Sequence, residues 1–348
     1  MPTCDIIIPI WNQPALTRRC LDSVRAETED YRLLLIDNGS EAPTRELLEA
    51  AARTDPARVI VIRNADNLGF IKAVNQGMRA SNAPYVVLLN NDTVVAPGWL
   101  QEMLAVAASD AAIGLVNPSS NTLGYAPAAA TPEAILAYAA SLTGSRGHTR
   151  EMAMAVGFCL LIKRAVLDAV GLFDERYGMG NFEDADFSLT AQAAGYRAVQ
   201  AVGAYVYHEE KASFKRQAGW ERAFQANQRA FHERWGRALR ILWISHSPAP
   251  DLTPAVVRLL RQGHQLWIRA EEGAPEEILR YTSASRLAAN PFWYVLRRRK
   301  KPVDLVISDD ARLCRWLQWT RPLHRAAVLA RPTPNDLEKA CRTLSRSL

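Results

Sequence analysis

The stretch at residues 85–93, YVVLLNNDT, constrains the fold more than any other. Tyr85-Val86-Val87-Leu88-Leu89 are all apolar, rich in strand formers, and show no alternation. A strand that is apolar on both faces belongs inside a parallel sheet with helices above and below it. The run stops abruptly at Asn90-Asn91-Asp92. In open α/β sheets ligands sit outside the carboxyl ends of the strands. A carboxylate flanked by amides at that end is therefore placed to hold a hard divalent cation and a phosphate. An Asx turn that merely closes the strand accounts for the same residues, and this stretch alone leaves both open.

The residues before it repeat the pattern. Apolar strands at 5–10, 32–36 and 58–62 alternate with apolar residues at helical spacing over 15–25, 46–53 and 71–80. Such alternation predicts βαβ units and a parallel sheet, with right-handed crossovers. The first two strands end in Trp11-Asn12 and Asp37-Asn38-Gly39-Ser40, so polar groups gather along one sheet edge. No G-x-G-x-x-G follows the first strand, and no G-x-x-x-x-G-K-[ST] occurs, which excludes the dinucleotide and P-loop fingerprints. An aspartate and amides can read the edge of a nucleobase, and an aromatic ring can stack on it. A plain turn explains Asp37-Asn38-Gly39-Ser40 equally well.

At 348 residues the chain has room for two domains. Its net charge of +6 suits an anionic substrate or a negatively charged membrane surface. The five cysteines are scattered, odd in number and without metal-type spacing, as expected of reduced thiols. No signal-type segment and no run of 18 apolar residues occurs. A cytoplasmic, non-spanning protein is expected.

Further along come Gly157-Phe158, Gly171-Leu172-Phe173-Asp174-Glu175, Phe182-Glu183-Asp184-Ala185-Asp186-Phe187, and His208 with Ser213. Together with Pro9-Ile10-Trp11-Asn12, Ile36-Asp37-Asn38-Gly39-Ser40, Asn67-Leu68-Gly69-Phe70, Asn75-Gln76-Gly77 and Leu89-Asn90-Asn91-Asp92-Thr93, in this order and spacing, they make residues 1–220 resemble a family 2 glycosyltransferase of the GT-A fold, in its rhamnosyltransferase-like branch. The resemblance implies a nucleotide-diphosphate sugar donor and a glycan or lipid-linked acceptor. It places Pro9, Trp11, Asn12, Asp37, Asn38, Asn67, Asn75, Asn90 and Asn91 around the nucleotide, with Asp37 on the base. It makes Asp92 the ligand of Mg²⁺ or Mn²⁺, with His208 on the metal side. A histidine after an apolar run is as readily structural. The family's D-x-D motif stands here as Asn90-Asn91-Asp92. One carboxylate remains, so the metal is expected to be held weakly or shared with the diphosphate.

Asp184 is the candidate general base, since an acceptor hydroxyl needs a carboxylate opposite the leaving group. The cluster Glu183, Asp184, Asp186 also fits a helix N-terminus, where acidic side chains offset the dipole; a helix is expected over 187–194. Gly178-Met179-Gly180-Asn181 suits a mobile loop, or more simply a tight connection. Residues 117–150 read as loops with a short helix at 133–140.

A second α/β pattern begins near residue 240, with strands at 241–244, 265–268, 303–307 and 326–329 and helices at 254–263 and 311–319. The expected organisation is a GT-A domain over 1–238 and a small Rossmann-like accessory domain over 239–348. Phe292-Trp293-Tyr294 and the basic run Arg297-Arg298-Arg299-Lys300-Lys301 suit peripheral contact with an anionic membrane. Nucleic acid is not expected, for no nucleic-acid-binding motif accompanies the run. The sequence-level reading is thus a metal-assisted, inverting glycosyltransferase. A nucleotidyltransferase would need a basic residue in a glycine-rich first loop, which Trp11-Asn12-Gln13-Pro14 does not supply. A non-catalytic nucleotide-sugar-binding module would bind without turnover.

Overall fold

The computed structural model describes residues 3–209, 219–247, 249–288, 290–296 and 302–346, without the side chains of residues 291–293. Ser213, the side chains of Phe292 and Trp293, and the basic run 297–301 lie outside it. The chain divides into two compact units, Met1–Arg150 with Met154–Asn227, and Glu151–Ala153 with Gln228–Leu348.

In the first unit the strands are β1 (Cys4–Ile10), β2 (Tyr31–Asn38), β3 (Val59–Asn64), β4 (Tyr85–Leu89), β5 (Thr93–Val95), β6 (Ile113–Ser119), the first two residues of β7 (Thr149–Met152), β8 (Cys159–Lys163) and β9 (Arg197–His208). They lie in the order β3-β2-β1-β4-β8-β6-β9-β5, with β7 paired to β9. Strands β1 to β4 are mutually parallel where they pair. Strand β8 runs antiparallel to β4 and β6, and β5 antiparallel to β9. The result is the mostly parallel, mixed α/β sheet expected from the sequence. Both faces of β1 and β4 are buried, and Ile6, Ile8, Leu33, Leu35, Val87, Leu89 and Trp99 share one core.

The strand order reverses between β1 and β4, the place where open α/β sheets bind ligands. The ladder opens there for a covalent reason. Pro9 has no N–H to donate, and the β1–β4 register ends at Ile7 and Leu88, whereas β1 stays paired with β2 as far as Ile10 and Asp37. Trp11-Asn12 and Asn90-Asn91-Asp92 follow directly on the ends of β1 and β4 at this point.

The expected boundary at 238/239 follows a change of sequence pattern, whereas the compact units part at 227/228, inside the helix Trp220–Trp235. The Asn227 amide explains the difference. It donates to the carbonyls of Tyr177 and Gly180 at 2.8 and 2.9 Å, tying the first half of that helix to the first unit.

The second unit holds β10 (Arg240–Ser245), β11 (Gln265–Ala270), β12 (Ala284–Arg286), β13 (Leu305–Ser308) and β14 (Ala327–Ala330), in the order β12-β11-β10-β13-β14. Every pairing is parallel. Alternation along the strands feeds two cores. Ile241, Trp243, Leu305 and Ile307 pack with helices Leu252–Arg261 and Pro334–Arg346, while Leu242 and Val306 pack with Tyr294, Leu313 and Leu317. This is a doubly wound, Rossmann-like sheet. Strand β12 was not expected from the sequence, because Ala284-Ser285-Arg286 carries no apolar run.

Helix Phe70–Ala80 approaches β1 so closely that a Cβ on Gly77 falls 2.4 Å from Ile7 Cγ2. Overpacking of this kind costs about 1–3 kcal/mol. Gly77→Ala is expected to lower the urea midpoint of the first unit's transition by a corresponding amount. The same change at Gly144, which meets nothing within 4 Å, is expected to leave it in place.

Candidate active site

The carboxyl ends of β1 and β2 carry a preformed hydrogen-bond system. Asp37 accepts from the Ser40 N–H at 2.9 Å and pairs with Arg63, at the end of β3. Asn12, at φ 57°, donates its N–H to Ser40 Oγ at 2.9 Å and accepts from the Glu41 N–H at 2.8 Å. Gly39 adopts φ +74°, and a Cβ there would meet the Asp66 backbone at 2.8 Å, so the turn after β2 packs directly on the loop after β3. Trp11 is 37 % exposed beside this edge.

The amides divide into two groups. Asn38 donates to Asn67 Oδ1 at 2.9 Å and to the Gly69 carbonyl at 3.1 Å, and accepts from Asn64 at 3.0 Å. This knot shapes the loop entering helix Phe70–Ala80. Asn75 is buried, and its amide is committed inside the fold: it donates to the Phe173 carbonyl and to Glu175, and accepts from the Phe173 N–H. It orders the turn at Glu175–Tyr177, with no polar atom left over for a ligand.

Beyond β4, Asn90 is anchored by its N–H to the Phe158 carbonyl at 2.8 Å, and the Asn91 amide donates to Thr17 Oγ1 at 2.9 Å. Asp92 then meets His208. The short strand β5 pairs antiparallel with the end of β9, setting Thr93 opposite His208. This brings Asp92 Oδ1 to 3.1 Å from His208 Nε2, at side-chain exposures of 17 % and 13 %. The imidazole stacks on Phe158 with ring centroids 5.0 Å apart, and Asn121 brackets the His208 backbone with two 2.8 Å bonds.

Two atoms 3.1 Å apart are spaced as neighbouring ligands of an octahedral ion with bonds of about 2.1 Å. A carboxylate oxygen and an imidazole nitrogen suit Mn²⁺, and Mg²⁺ less well. Among the described residues no group of three or more His, Cys, Asp or Glu side chains is placed to hold a metal. The pair therefore fits an ion whose remaining ligands come from a substrate and water.

Across a cleft of about 440 Å³, lined by Asn90, Gly157, Phe158, Asp184 and His208 among others, stands the helix Glu183–Ala193. Its entry is tight. Gly178, Gly180, Asn181 and Phe182 all take positive φ, and the connection is pinned by Asn227. Asp184 accepts from the Gly157 N–H at 3.0 Å and from the Ala185 N–H at 2.8 Å. Loss of solvent pushes its carboxyl above the ordinary range, and those two donors hold it back. Glu183 is buried, its Oε2 finds no partner, and burial and then the Asp184 charge push it up to about 8. Burial thus pushes both neighbouring carboxyls up, Glu183 and Asp184 alike, and backbone donors hold each of them back. Asp186 is buried and receives the Tyr177 hydroxyl at 3.1 Å.

Of the residues singled out in the sequence, Asn90, Asp184 and His208 line one cleft, while Trp11, Asn12, Asp37, Asn38 and Asn67 form the neighbouring edge. Arg63, Asn121 and the stacked Phe158 were not foreseen, since each acquires its role from a contact across the fold. Glu183 was visible in the acidic cluster, but not its isolation.

The description "Glycosyl transferase family 2" belongs to the family model that matches residues 5–171. The protein y4gI of Sinorhizobium fredii is 31% identical over 232 residues, covering 61% of this chain and 25% of that protein. The O-antigen biosynthesis protein RfbC of Myxococcus xanthus is 27% identical, covering 61% and 18%. Glycosyltransferase EpsJ of Bacillus subtilis is 26% identical, covering 60% and 62%. The chain spans less than two thirds of each of these relatives. Among solved structures, GalNAc-T7 with UDP, GalNAc and Mn²⁺ gives a TM-score of 0.49 at 19% identity, covering 60% of this chain and 44% of that one. The mannosyltransferase PcManGT of Pyrobaculum calidifontis with GDP-Man and Mn²⁺ gives 0.49 at 19%, covering 68% and 66%.

The raised Glu183 has a consequence for stability. The folded state keeps its proton to about pH 8, whereas the unfolded chain releases it near 4.5. Its contribution is therefore complete below pH 4.5 and is lost as pH rises through about 8. Melting temperatures across that window are expected to fall for the wild type relative to Glu183→Gln, which carries no such proton. Parallel curves for the two proteins would remove the buried acid.

Proposed function

We propose, for a chain whose residues 5–171 match the family model of glycosyl transferase family 2, an enzyme that moves a sugar from a nucleotide-diphosphate donor to a hydroxyl acceptor with inversion. The observation that carries this reading is the single cleft in which Asn90 and His208 face the Asp184 carboxylate. The nucleotide lies along the ends of β1 and β2, where the exposed Trp11 ring offers a stacking face. Arg63, held by the buried Asp37 carboxylate, offers its guanidinium donors to the base. The diphosphate lies toward Asn90, Asp92 and His208. Asp92 and His208 would hold Mg²⁺ or Mn²⁺, which when bound would supply charge neutralisation at the diphosphate.

The chain's own chemistry is a proton transfer. Asp184, ionised and fixed by two backbone donors, takes the acceptor's hydroxyl proton as that oxygen bonds to the anomeric carbon. The bond to the diphosphate breaks on the opposite face, through an oxocarbenium-like state. One displacement inverts the centre. Glu183 stays neutral alongside, so no second negative charge opposes the nearby phosphates.

The acceptor class we favour is a glycan or lipid-linked glycan, in keeping with the relative named for O-antigen biosynthesis. Nucleic acid has no part in this scheme. All five cysteines are free and buried, which suits a reducing compartment such as the cytoplasm. Among the described residues no helix is long and apolar enough to cross a membrane. The second unit serves as an accessory domain.

Asp184→Asn keeps the shape and loses the proton acceptor. Transfer from UDP-, dTDP- or GDP-sugars is expected to fall about 10²–10⁴-fold, with donor affinity unchanged. Near-normal transfer would move the base elsewhere, and joint loss of affinity would put Asp184 in the donor site. Asp92→Ala is expected to abolish the rise in melting temperature that Mn²⁺ adds to a donor sugar. A rise that persists in full would detach Asp92 from the metal.

A further inference from the structure

The second unit carries a surface that the transfer reaction does not use. Helix Ala311–Trp319 is followed, after Thr320, by helix Arg321–His324. The inner side is anchored. Leu313 and Leu317 enter the core, and the buried His324 ring lies 2.9 Å from the Leu317 carbonyl and accepts from the Ala326 N–H. The outer side is different. Trp319 is 81 % exposed and Leu323 is 73 % exposed, while Leu136, the next large apolar side chain among the described residues, is only 45 % exposed. A scattered half-exposed leucine is ordinary. Two nearly bare side chains four positions apart, on elements whose other faces are fixed, are not.

The charges within Ala311–Arg325 have one sign, with Asp309 and Asp310 lying just before the helix, where Asp310 caps it. Arg312, Arg315, Arg321 and Arg325 are exposed, and the segment from Ala311 to Arg325 contains no acidic residue. None of the four guanidinium groups makes a hydrogen bond or ion pair with another described residue. Unpaired cations beside protruding Trp and Leu have the composition of an interfacial helix, with apolar groups for the acyl boundary and basic groups for headgroup phosphates.

We infer that this segment, with Trp319 and Leu323 exposed and the four arginines flanking them in sequence, docks the second unit on an anionic lipid surface. Charge complementarity selects that occupant. A second copy of the chain would set the arginines against one another. A nucleic acid would satisfy the arginines but gain nothing from a bare leucine. The inference does not depend on the transfer reading. It places membrane contact at residues other than the 297–301 run.

The test is flotation of the full chain with vesicles of phosphatidylcholine alone, or mixed in equal parts with phosphatidylglycerol. Binding is expected only to the mixed vesicles and is expected to weaken with salt. An arginine near such a surface is worth about a fivefold factor in partitioning, so Arg321→Gln with Arg325→Gln should weaken binding about 25-fold. Both positions are exposed, so the fold is not at risk. Brominated acyl chains should quench tryptophan emission in the wild type, and Trp319→Phe should remove most of that quenching. The inference fails if the double variant floats like the wild type, including the case in which only neutralising 297–301 abolishes flotation. It fails equally if quenching survives Trp319→Phe. Binding of single-stranded RNA through these arginines with vesicles ignored, or a dimer that Trp319→Ser dissolves, would overturn it in favour of that partner.

Discussion

The pairing of β5 with β9 is the contact on which the candidate site depends. β5 is only three residues long, yet its antiparallel rung sets Thr93 opposite His208 and so joins side chains 116 positions apart. A rung this short has little stability of its own. It is supported from both ends, by the Asn121 amide clamped on the His208 backbone and by Thr93 Oγ1 bonded to the Asn90 carbonyl at 2.8 Å. Without those supports a lone carboxylate at the end of β4 would remain an ordinary turn residue.

The opposite wall of the cleft is organised by burial and by backbone geometry. Two successive residues, Asn181 and Phe182, take left-handed conformations that side chains rarely adopt, and the helix starts immediately after them. The abrupt start aims the first-turn carboxylates into the cleft instead of toward solvent. Ser188 secures the arrangement by donating to the Asp184 carbonyl at 2.7 Å while accepting from the Ala155 N–H. Acidic residues at the helix N-terminus complement its dipole, and Glu183 keeps an unpartnered Oε2 while both Asp184 oxygens accept from backbone N–H groups. Adjacent carboxylates in unequal environments are how one site keeps one acid and one base.

The second unit repeats the logic of the first sheet with a different emphasis. Its strands are filled by apolar residues on both faces, and its helices cover both sides. What distinguishes it is the outer surface around Trp319, where apolar protrusion and unpaired positive charge occur together. Fold alone assigns it no chemistry.

The sequence by itself determined the parallel half of the first sheet and most of the second. Apolar runs such as Tyr85–Leu89 and residues 241–244 cannot be solvated, and local periodicity identifies them as strands. It also determined the chemical types at the strand ends, because Asp37, Asn90 and Asp92 follow directly on runs whose direction is known. Tertiary structure decided the rest. The insertion of β8 antiparallel between β4 and β6, the rung that brings His208 to Asp92, and the assignment of 151–153 to the second unit all depend on pairings between distant segments. Periodicity carries no record of such partners. The same holds for the carboxylates. Glu183 and Asp184 are both simple acidic letters, and only the fold shows that one has a buried, unpartnered Oε2 while the other accepts from the Gly157 and Ala185 N–H groups.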